Sequence, residues 1–437
     1  MSSPGHEAPT EIMEIILSHL RDDFPTLARC SLVNRGWLSM SRRWFFEDVD
    51  IASFRTTSRQ ARFHKFMDLF EKSRPTAPCT LNQHVQCLTL DPTFTPYQIS
   101  GLSNLDLPNL NAIRIKASSV FAPPYLLSTI STIFSEKIRR LDITSVAFPT
   151  PLAFVEFVAG FPHLEHLALG DNAFDKGEWH PPATRLQLSP RITSLRWSQR
   201  LGIIMGEVRG WLLDHIQQQE IEVKSLEFVA NGWCDDFPSD VFATVAEKVE
   251  RLDIHLNFSD FNIIDSLTSV NTSFLNLRHL HLKCPLENPQ SLRYQPGSLN
   301  FALTLLASSL VAPQLSDLFI ACSAKKGPRL CAIHTLRGTP FKQFDEALFA
   351  WPESGSLPTL RTIRFMAENC PGHPCLRAPP RFAEGSSNDR VDDGFWEGPG
   401  EGPETFEDLA SEFLENAFPR TLAAKGLNLF VLQVLNR

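Results

Sequence analysis

The segment KIRRLDI, at Lys137 to Ile143, returns with two changes as KVERLDI at Lys248 to Ile254. Between the two copies the pattern Φ-x-x-Φ-x-Φ, in which Φ is an apolar residue, recurs in steps of about 28 residues. A single copy of so short a pattern is uninformative, but near-equal spacing over many copies is typical of a repeat protein. The central apolar residues of the copies are Leu88, Ile113, Leu141, Leu167, Leu195, Leu226, Leu252, Leu280, Leu318, Ile363 and Phe430.

The segments between these triplets have the apolar periodicity of helices. Several of them start with proline, for example at Pro123, Pro151 and Pro238. Proline is tolerated in the first helical turn, where its missing N–H is not needed, so we expect helices to begin near these residues. One strand and its helix cannot bury an apolar face alone, whereas stacked copies bury a continuous core. The sequence therefore predicts an α/β fold over residues 85–437, in which parallel strands alternate with helices.

This pattern resembles the leucine-rich-repeat family in an irregular form. In that family an Asn or Cys three residues beyond the last Φ ties down the backbone of the turn. Asn172, Asn231 and Asn257 occupy this position, and the other copies have different residues there. The resemblance implies a solenoid with a curved parallel β-sheet and outer helices.

The first fifty residues have a different, helical pattern. Pro25 marks a turn, with Thr26 as the predicted N-cap of a following helix. A unit this small buries little apolar surface by itself, and it has apolar residues on more than one face, so we expect one face to bind a partner. The apolar residues at helical spacing are Ile12, Ile15, Ile16 and Leu20, followed by Leu27, Cys30, Val33 and Trp37.

Residues 8–50 resemble an F-box, a three-helix domain. The matching residues are Pro9, Ile12, Ile16, Leu20, Leu27, Leu32, Val33 and Trp37. Trp44, Phe45 and Phe46 close the motif, and Ala8 stands where the family usually has a larger aliphatic residue. The segment RCSLVNRGW, Arg29 to Trp37, together with the irregular repeats, most resembles the sequences of fungal F-box proteins.

The resemblance implies that these eight residues bind a Skp-type adaptor, which joins a cullin–RING (SCF-type) ubiquitin ligase. The repeats would then bind the protein substrate, residues 51–84 would be a helical linker, and the chain itself would need no catalytic residue, metal or cofactor. Two alternatives stay open. The helices could merely cap the repeats of a scaffold that serves no ligase, or the chain could be an enzyme, although none of the common nucleotide-binding, hydrolase or metalloprotease motifs is present.

Alternation along each strand predicts which side chains point away from the core. We expect Arg251 to lie beside His279, Asp253 beside His281 and His255 beside Lys283. This mainly basic face would suit an acidic or phosphorylated peptide. An ordinary solvated face, or a metal site formed by His279, His281 and a neighbouring His255 or Asp253, is the alternative. The predicted substrate-binding residues are Arg140, Asp142, His166, Arg196, Arg251, Asp253, His255, His279, His281 and Lys283.

The net charge of −8 is concentrated in one segment. Residues 384–412 contain ten acids and one arginine, so the remainder of the chain carries about +1. Residues 371–403 are also rich in Gly, Pro and Ser, which predicts a disordered acidic insertion in the longest step between repeats. A near-neutral body argues against nucleic acid as a ligand.

Other features concern the compartment and further ligands. The nine cysteines are scattered and odd in number, which favours a reducing compartment, and MSSPGHEAPT contains no apolar signal segment, so we expect a cytoplasmic or nuclear protein. An uncharged run, Tyr294 to Ser316, contains several polar residues, so we expect a buried helix over residues 299–310 and no membrane span. The spacing in CPGHPC, Cys370 to Cys375, is too tight for a four-ligand zinc site, which favours a loop.

Overall fold

The computed structural model describes eleven stretches of the chain, and the findings below concern these. They are residues 9–21, 23–52, 59–72, 81–175, 186–199, 206–230, 239–256, 272–286, 310–324, 362–368 and 430–435. The chain divides into two units, Met1–Val223 and Lys224–Arg437. The predicted acidic insertion at 371–403 and the CPGHPC segment lie outside the described residues.

The first unit combines parallel strands with helices. The strands are β1 (Asp48–Asp50), β2 (Cys87–Leu90), β3 (Ala112–Phe121), β4 (Arg140–Phe148), β5 (His166–Gly170), β6 (Ala173–Phe174) and β7 (Ser194–Gln199). The helices are α1 (Thr10–His19), α2 (Phe24–Cys30), α3 (Arg35–Glu47), α4 (Arg59–Lys72), α5 (Pro96–Ser103), α6 (Pro124–Phe134), α7 (Pro151–Ala159) and α8 (Gly206–Gln218), with a 3₁₀ turn at Leu81–Gln83. Strands β1, β2, β3, β4, β5 and β7 pair in parallel in this order, and β6 pairs with the end of β4.

The second unit repeats this arrangement. Its strands are β8 (Ser225–Ala230), β9 (Arg251–Leu256), β10 (Thr272–Ser273), β11 (His279–Leu286), β12 (Leu310–Val311), β13 (Asp317–Ala324), β14 (Thr362–Glu368) and β15 (Phe430–Leu435). Helix α9 (Ser239–Val245) lies between β8 and β9 in the chain. Strands β8, β9, β11, β13, β14 and β15 pair in parallel in this order, while β10 and β12 form a separate parallel pair.

The strands confirm the repeat pattern and the predicted α/β class with parallel pairing. In each unit the central apolar residue of one triplet is the register partner of the central apolar residue of the following triplet. The partners are Leu88, Ile113, Leu141, Leu167 and Leu195 in the first unit, and Leu226, Leu252, Leu280, Leu318, Ile363 and Phe430 in the second. The triplets therefore stack as rows of apolar side chains on one face of the strands.

A forked backbone hydrogen bond fixes this register. One carbonyl just before a strand accepts from two consecutive N–H groups at the start of the next strand. The Asn111 carbonyl, for example, accepts from Arg139 N at 2.8 Å and Arg140 N at 3.0 Å, and the Glu250 carbonyl accepts from Arg278 N at 2.8 Å and His279 N at 3.0 Å. The same fork recurs at the carbonyls of Gln86, Arg139, Glu165, Lys224 and Arg278.

Helices α6, α7 and α9 begin near the prolines from which their starts were predicted. Pro124 and Pro151 occupy the first turns of α6 and α7, and α9 begins immediately after Pro238. Between β4 and α7 the core is filled by phenylalanines: Phe148 packs edge-on against Phe154, with ring centroids 5.0 Å apart. These rings are fully or almost fully buried. The core thus lies between the apolar rows of the strands and the helices that return the chain.

Asn172 bonds to the backbone near the end of the preceding strand, β4, rather than to a turn. Its side chain is buried, its Oδ1 accepts from Val146 N at 3.1 Å and its Nδ2 donates to the Ile143 carbonyl at 3.0 Å. These bonds satisfy backbone groups in the preceding repeat that water does not reach. Asn231 and Asn257 lie outside the described residues.

Two features differ from the sequence analysis. Leu310 and Val311 form β12, so the helix expected over 299–310 does not extend to its predicted end, and the rest of it lies outside the described residues. Strand β1 was not predicted. It follows α3 directly and pairs with β2, with Val49 as the partner of Leu88.

Replacing Asn172 by Ala should lower the free energy of unfolding by about 2–4 kcal/mol, because it leaves a buried N–H and a buried carbonyl without partners. Urea unfolding followed by circular dichroism measures the change. The matched control is Asn109→Ala, since the exposed Asn109 makes a single side-chain bond, to the Gln83 carbonyl at 2.6 Å. Equal losses in the two variants would contradict a special role for the Asn172 position.

Candidate functional site

Helix α1 carries an apolar stripe on the protein surface. Met13 and Leu17 are buried, whereas Ile12, Ile15 and Ile16 are 49%, 55% and 41% exposed. Residues three and four apart lie on one helix face, so these three isoleucines form a continuous stripe, which we call the isoleucine stripe. Exposed apolar surface of this kind is a feature of protein-binding surfaces, so α1 is a candidate docking surface.

The predicted adaptor residues differ in their burial. The exposed members are Pro9, Ile12, Ile16, Leu32 and Val33. Leu32 and Val33, in the turn between α2 and α3, are 84% and 63% exposed. Leu20 and Trp37 are half-buried. Leu27 is fully buried, so its place is in the core of the helices rather than on a surface open to a partner.

The start of α2 corrects one prediction. Asp23, rather than Thr26, is the N-cap: its carboxylate accepts hydrogen bonds from the Thr26 N–H at 3.1 Å and from the Thr26 hydroxyl at 2.6 Å. The four residues expected to form one helical stripe are also divided, because α2 ends at Cys30 and α3 starts at Arg35. Those residues are Leu27, Cys30, Val33 and Trp37.

A polar cluster connects α1 to α3. The Arg43 guanidinium donates to the Glu14 carboxylate at 2.6 Å, and it also lies 5.7 Å from the centre of the Trp44 ring. Arg21 approaches the same ring at 5.6 Å. These contacts hold one side of α1 on α3, while the isoleucine stripe stays exposed.

In the second unit the outward side chains have the predicted register. Arg251 is the partner of His279, Asp253 of His281, and His255 of Lys283. Glu227 and Asp317 join them from the neighbouring strands β8 and β13. We call this set the histidine face: Glu227, Arg251, Asp253, His255, His279, His281, Lys283 and Asp317.

Asp253 is the centre of a hydrogen-bonded network on this face. Its carboxylate accepts from Arg251 Nε at 2.8 Å, from Arg251 Nη2 at 3.3 Å and from His281 Nδ1 at 3.0 Å. Burial raises the pKa of this carboxyl, but the bonds from His281 and Arg251 outweigh it and hold the pKa below its usual range. Asp253 is therefore an ionised anchor that lies on the predicted outward row and is buried there.

Carboxylates lie beside the other two histidines as well. His279 Nδ1 lies 3.0 Å from Asp317 Oδ2, and His255 Nδ1 lies 3.7 Å from Glu227 Oε1. The ring of His281 contacts the rings of His255 and Phe319, with centroids 5.6 and 4.4 Å away. The face thus includes the carboxylates of Glu227, Asp253 and Asp317 beside its imidazoles, so it is less basic than predicted.

In the first unit the predicted residues follow the same outward rows. Arg140 is the register partner of His166, and Ala168 separates Asp142 from Arg196. Burial, together with the positive charge of Arg140, lowers the pKa of His166. Asp142 accepts from the Thr144 hydroxyl at 2.9 Å and lies 4.0 Å from Arg114 Nε.

Arg114 and Asp48 form an ion pair across three strands of this unit. Between their strands lies Cys87, whose thiol has its pKa raised to about 12, chiefly by burial. The thiol is therefore protonated at physiological pH and is not a nucleophile there.

Four charged residues of these faces are not among the predicted site residues: Asp48, Arg114, Glu227 and Asp317. Three of them stand at outward positions of predicted strands, so applying the alternation rule to every strand would have found Arg114, Glu227 and Asp317. Asp48 belongs to β1, a strand of three residues without an apolar triplet. No pattern of the repeats pointed to it.

The described part of the chain contains no clustered metal ligands and no membrane-spanning helix. Within it, no group of three or more His, Cys, Asp or Glu side chains is placed to hold a metal ion, so the proposed alternative of a metal site at His279 and His281 lacks a ligand set. No helix among the same residues is long and apolar enough to cross a membrane.

Comparison with known proteins adds no identification. No family model matches the chain, and a search of curated proteins finds no match for it. Any functional conclusion therefore depends on the residues and geometry described above.

Replacing Asp253 by Asn should lower the free energy of unfolding at pH 7 by about 1–3 kcal/mol, because the charge-assisted bonds from Arg251 and His281 are lost. Since the native pKa of Asp253 is lowered, its stabilisation is present above the ordinary carboxyl pKa and is lost as pH falls through the native pKa. Urea unfolding at neutral and acidic pH should show the two proteins converging at low pH.

The matched control is Asp317→Asn. The Asp317 side chain is 37% exposed, so the loss there should stay below about 1 kcal/mol. A loss at Asp317 as large as the loss at Asp253 would contradict the importance of burial in this network.

Proposed function

We propose that this chain is the substrate-recognition subunit of a cullin–RING (SCF-type) ubiquitin ligase. In this proposal α1–α3 act as an F-box that binds a Skp-type adaptor, and the strands and helices that follow form an irregular leucine-rich-repeat solenoid that binds a protein substrate. The chain performs no covalent chemistry, uses no cofactor and acts in the cytoplasm or the nucleus.

The observation that carries the proposal is the isoleucine stripe. Three large aliphatic side chains of one short helix are exposed beside a buried row, and two more, Leu32 and Val33, are exposed in the turn before α3. Burying such side chains in a partner contributes about 1.5–3 kcal/mol each, so a helix of this kind favours docking into an apolar groove.

The repeats support the second half of the proposal. Parallel strands in register present rows of outward side chains from consecutive repeats, and such an extended surface suits a protein or peptide ligand. The outward rows are rich in charged and hydrogen-bonding groups, among them Arg140, Arg196, Arg251 and His279. Side chains of this kind provide specificity for a partner of complementary charge.

One observation favours the alternative of a repeat scaffold without a ligase. Strand β1 follows α3 directly and pairs with β2, as expected of helices that cap the end of the repeats. In that alternative the isoleucine stripe would bind some other protein. Adaptor binding separates the two proposals.

Replacing Ile16 and Val33 together by Asp should weaken adaptor binding by about 100-fold or more, because the interface would then bury unpaired charges. Both side chains are exposed in the free chain, so its fold should survive. Co-purification with the adaptor and cullin, followed by titration calorimetry with purified adaptor, measures the effect.

The matched control replaces Leu69 and Tyr97 by Asp. These side chains are 42% and 81% exposed on α4 and α5, outside the proposed interface. The control should bind the adaptor like the wild type. If the wild-type chain fails to bind any Skp-type adaptor, the scaffold alternative replaces the ligase proposal.

A further inference from the structure

Two of the three tyrosines of the chain are exposed at equivalent places in consecutive repeats. Tyr97 is the second residue of α5 and is 81% exposed, and Tyr125 is the second residue of α6 and is 45% exposed. A proline precedes each of them as the first residue of the helix. A third aromatic side chain, Phe121 at the end of β3, is 41% exposed just before α6 begins. We call Tyr97 and Tyr125 the tyrosine pair.

The backbone holds both tyrosines in defined positions. Thr95 and Gln98 form a reciprocal capping box at the start of α5, in which Gln98 N donates to the Thr95 hydroxyl at 3.3 Å and Gln98 Oε1 accepts from Thr95 N at 2.8 Å. Helix α6 has Pro123 as its N-cap and Pro124 as its first residue, and proline fixes the backbone angle φ. The rings are therefore mounted on rigid backbone, which lowers the entropy cost of binding a ligand.

The helices that carry the pair contain no charged residue. Helix α5 has the sequence PYQISGLS and α6 the sequence PYLLSTISTIF. The hydroxyls of α6 donate to carbonyls of the same helix, Thr129 to Tyr125 at 2.6 Å and Thr132 to Ser128 at 2.7 Å, and Ser128 and Ser131 do likewise. These donors are used within the helix, so the phenol groups are the donors that the pair offers to a ligand.

The spacing of the pair follows from the packing of the two helices. Helices α5 and α6 contact each other, and the axes of packed helices lie about 8–10 Å apart. A polyproline II helix has three residues per turn and rises about 9.3 Å in that turn. Two prolines three residues apart in such a segment therefore have nearly the spacing of two side chains at equivalent positions of α5 and α6.

We propose that the tyrosine pair is a docking site for a proline-rich segment of a partner protein, which binds as a polyproline II helix with one proline on each ring. Charge and hydrogen-bonding chemistry define this occupant. Proline is uncharged, like the two helices, and it has no N–H that would need an acceptor, while its carbonyl can accept from a phenol group. Exposed aromatic side chains recognise proline-rich segments in this way.

The tyrosine pair is separate from the surfaces of the proposed function. It lies on the helices of the repeats, whereas the proposed substrate residues lie on the outward rows of the strands and the isoleucine stripe lies on α1. The pair would therefore serve a further partner, and its occupancy does not depend on an adaptor.

Binding of a fluorescein-labelled decaproline peptide to the full chain tests the proposal. Decaproline is uncharged along its side chains and adopts the polyproline II conformation. Fluorescence anisotropy should show binding at least about tenfold tighter than that of a labelled Gly/Ser peptide of equal length, because the flexible peptide must be ordered on binding and has no rings to place on the tyrosines.

Variants of the pair assign the binding to its rings. Tyr97→Ala and Tyr125→Ala should each weaken decaproline binding by about tenfold or more, the effect of removing a central aromatic contact. Tyr97→Phe and Tyr125→Phe keep the ring and remove the hydroxyl, so each should weaken binding only about threefold, through the loss of one hydrogen bond. The matched control is Phe24→Ala, since this aromatic side chain is 53% exposed but lies on α2, and the control should bind decaproline like the wild type.

The proposal is overturned if decaproline binds no more tightly than the Gly/Ser peptide, or if a folded Ala variant of the pair keeps the wild-type affinity. Should an Ala variant fail to fold by circular dichroism, the Phe variants decide, and the proposal also fails if both bind decaproline like the wild type. A second copy of the chain is the rival occupant: a dimer in analytical ultracentrifugation that Tyr97→Ala dissociates would assign the surface to self-association instead. The assay contains neither adaptor nor substrate, so failure of the proposed function leaves its outcome unaffected.

Discussion

The forked hydrogen bond at the start of seven of the described strands is the constraint on which the other features depend. A single carbonyl that accepts from two consecutive N–H groups, as at Asn111 and Glu250, sets the register at the start of the next parallel strand. Because side chains alternate along a strand, this alignment puts the apolar triplets of successive repeats on one face and the polar residues on the other. The core and the histidine face are two consequences of one backbone geometry.

The two candidate binding surfaces work by different physical principles. In the proposed function, the isoleucine stripe would bind by removing aliphatic surface from water, an interaction that involves no titratable group. The histidine face holds charges that already satisfy one another, so a ligand there must compete with Arg251–Asp253 and His281–Asp253 contacts of about 3 Å.

Most of the strand architecture could be predicted from the sequence, because apolar alternation fixes both the position of a strand and the face it buries. The register of Arg251 with His279 and the bonds of Asn172 followed from the same repeat. The same register places Asp253 beside His281, as predicted, but not the carboxylates of the two neighbouring strands. Glu227 lies beside His255 and Asp317 beside His279, and these two acids make the face less basic than predicted. The predicted N-cap of α2 is Thr26, whereas the observed N-cap is Asp23. Asp and Thr are both favoured N-cap residues, so residue type alone does not decide between them.

The register of the strands is independent of the length of chain that joins them. Ile363 and Phe430 are partners in neighbouring strands, as Leu252 and Leu280 are, although 67 residues separate the first pair and 28 the second. For a chain treated as a flexible loop, closure entropy grows only with the logarithm of length, and this difference costs about 0.8 kcal/mol. Insertions and deletions between strands are therefore nearly neutral for the sheet, so related chains can differ greatly in length while presenting the same rows of side chains.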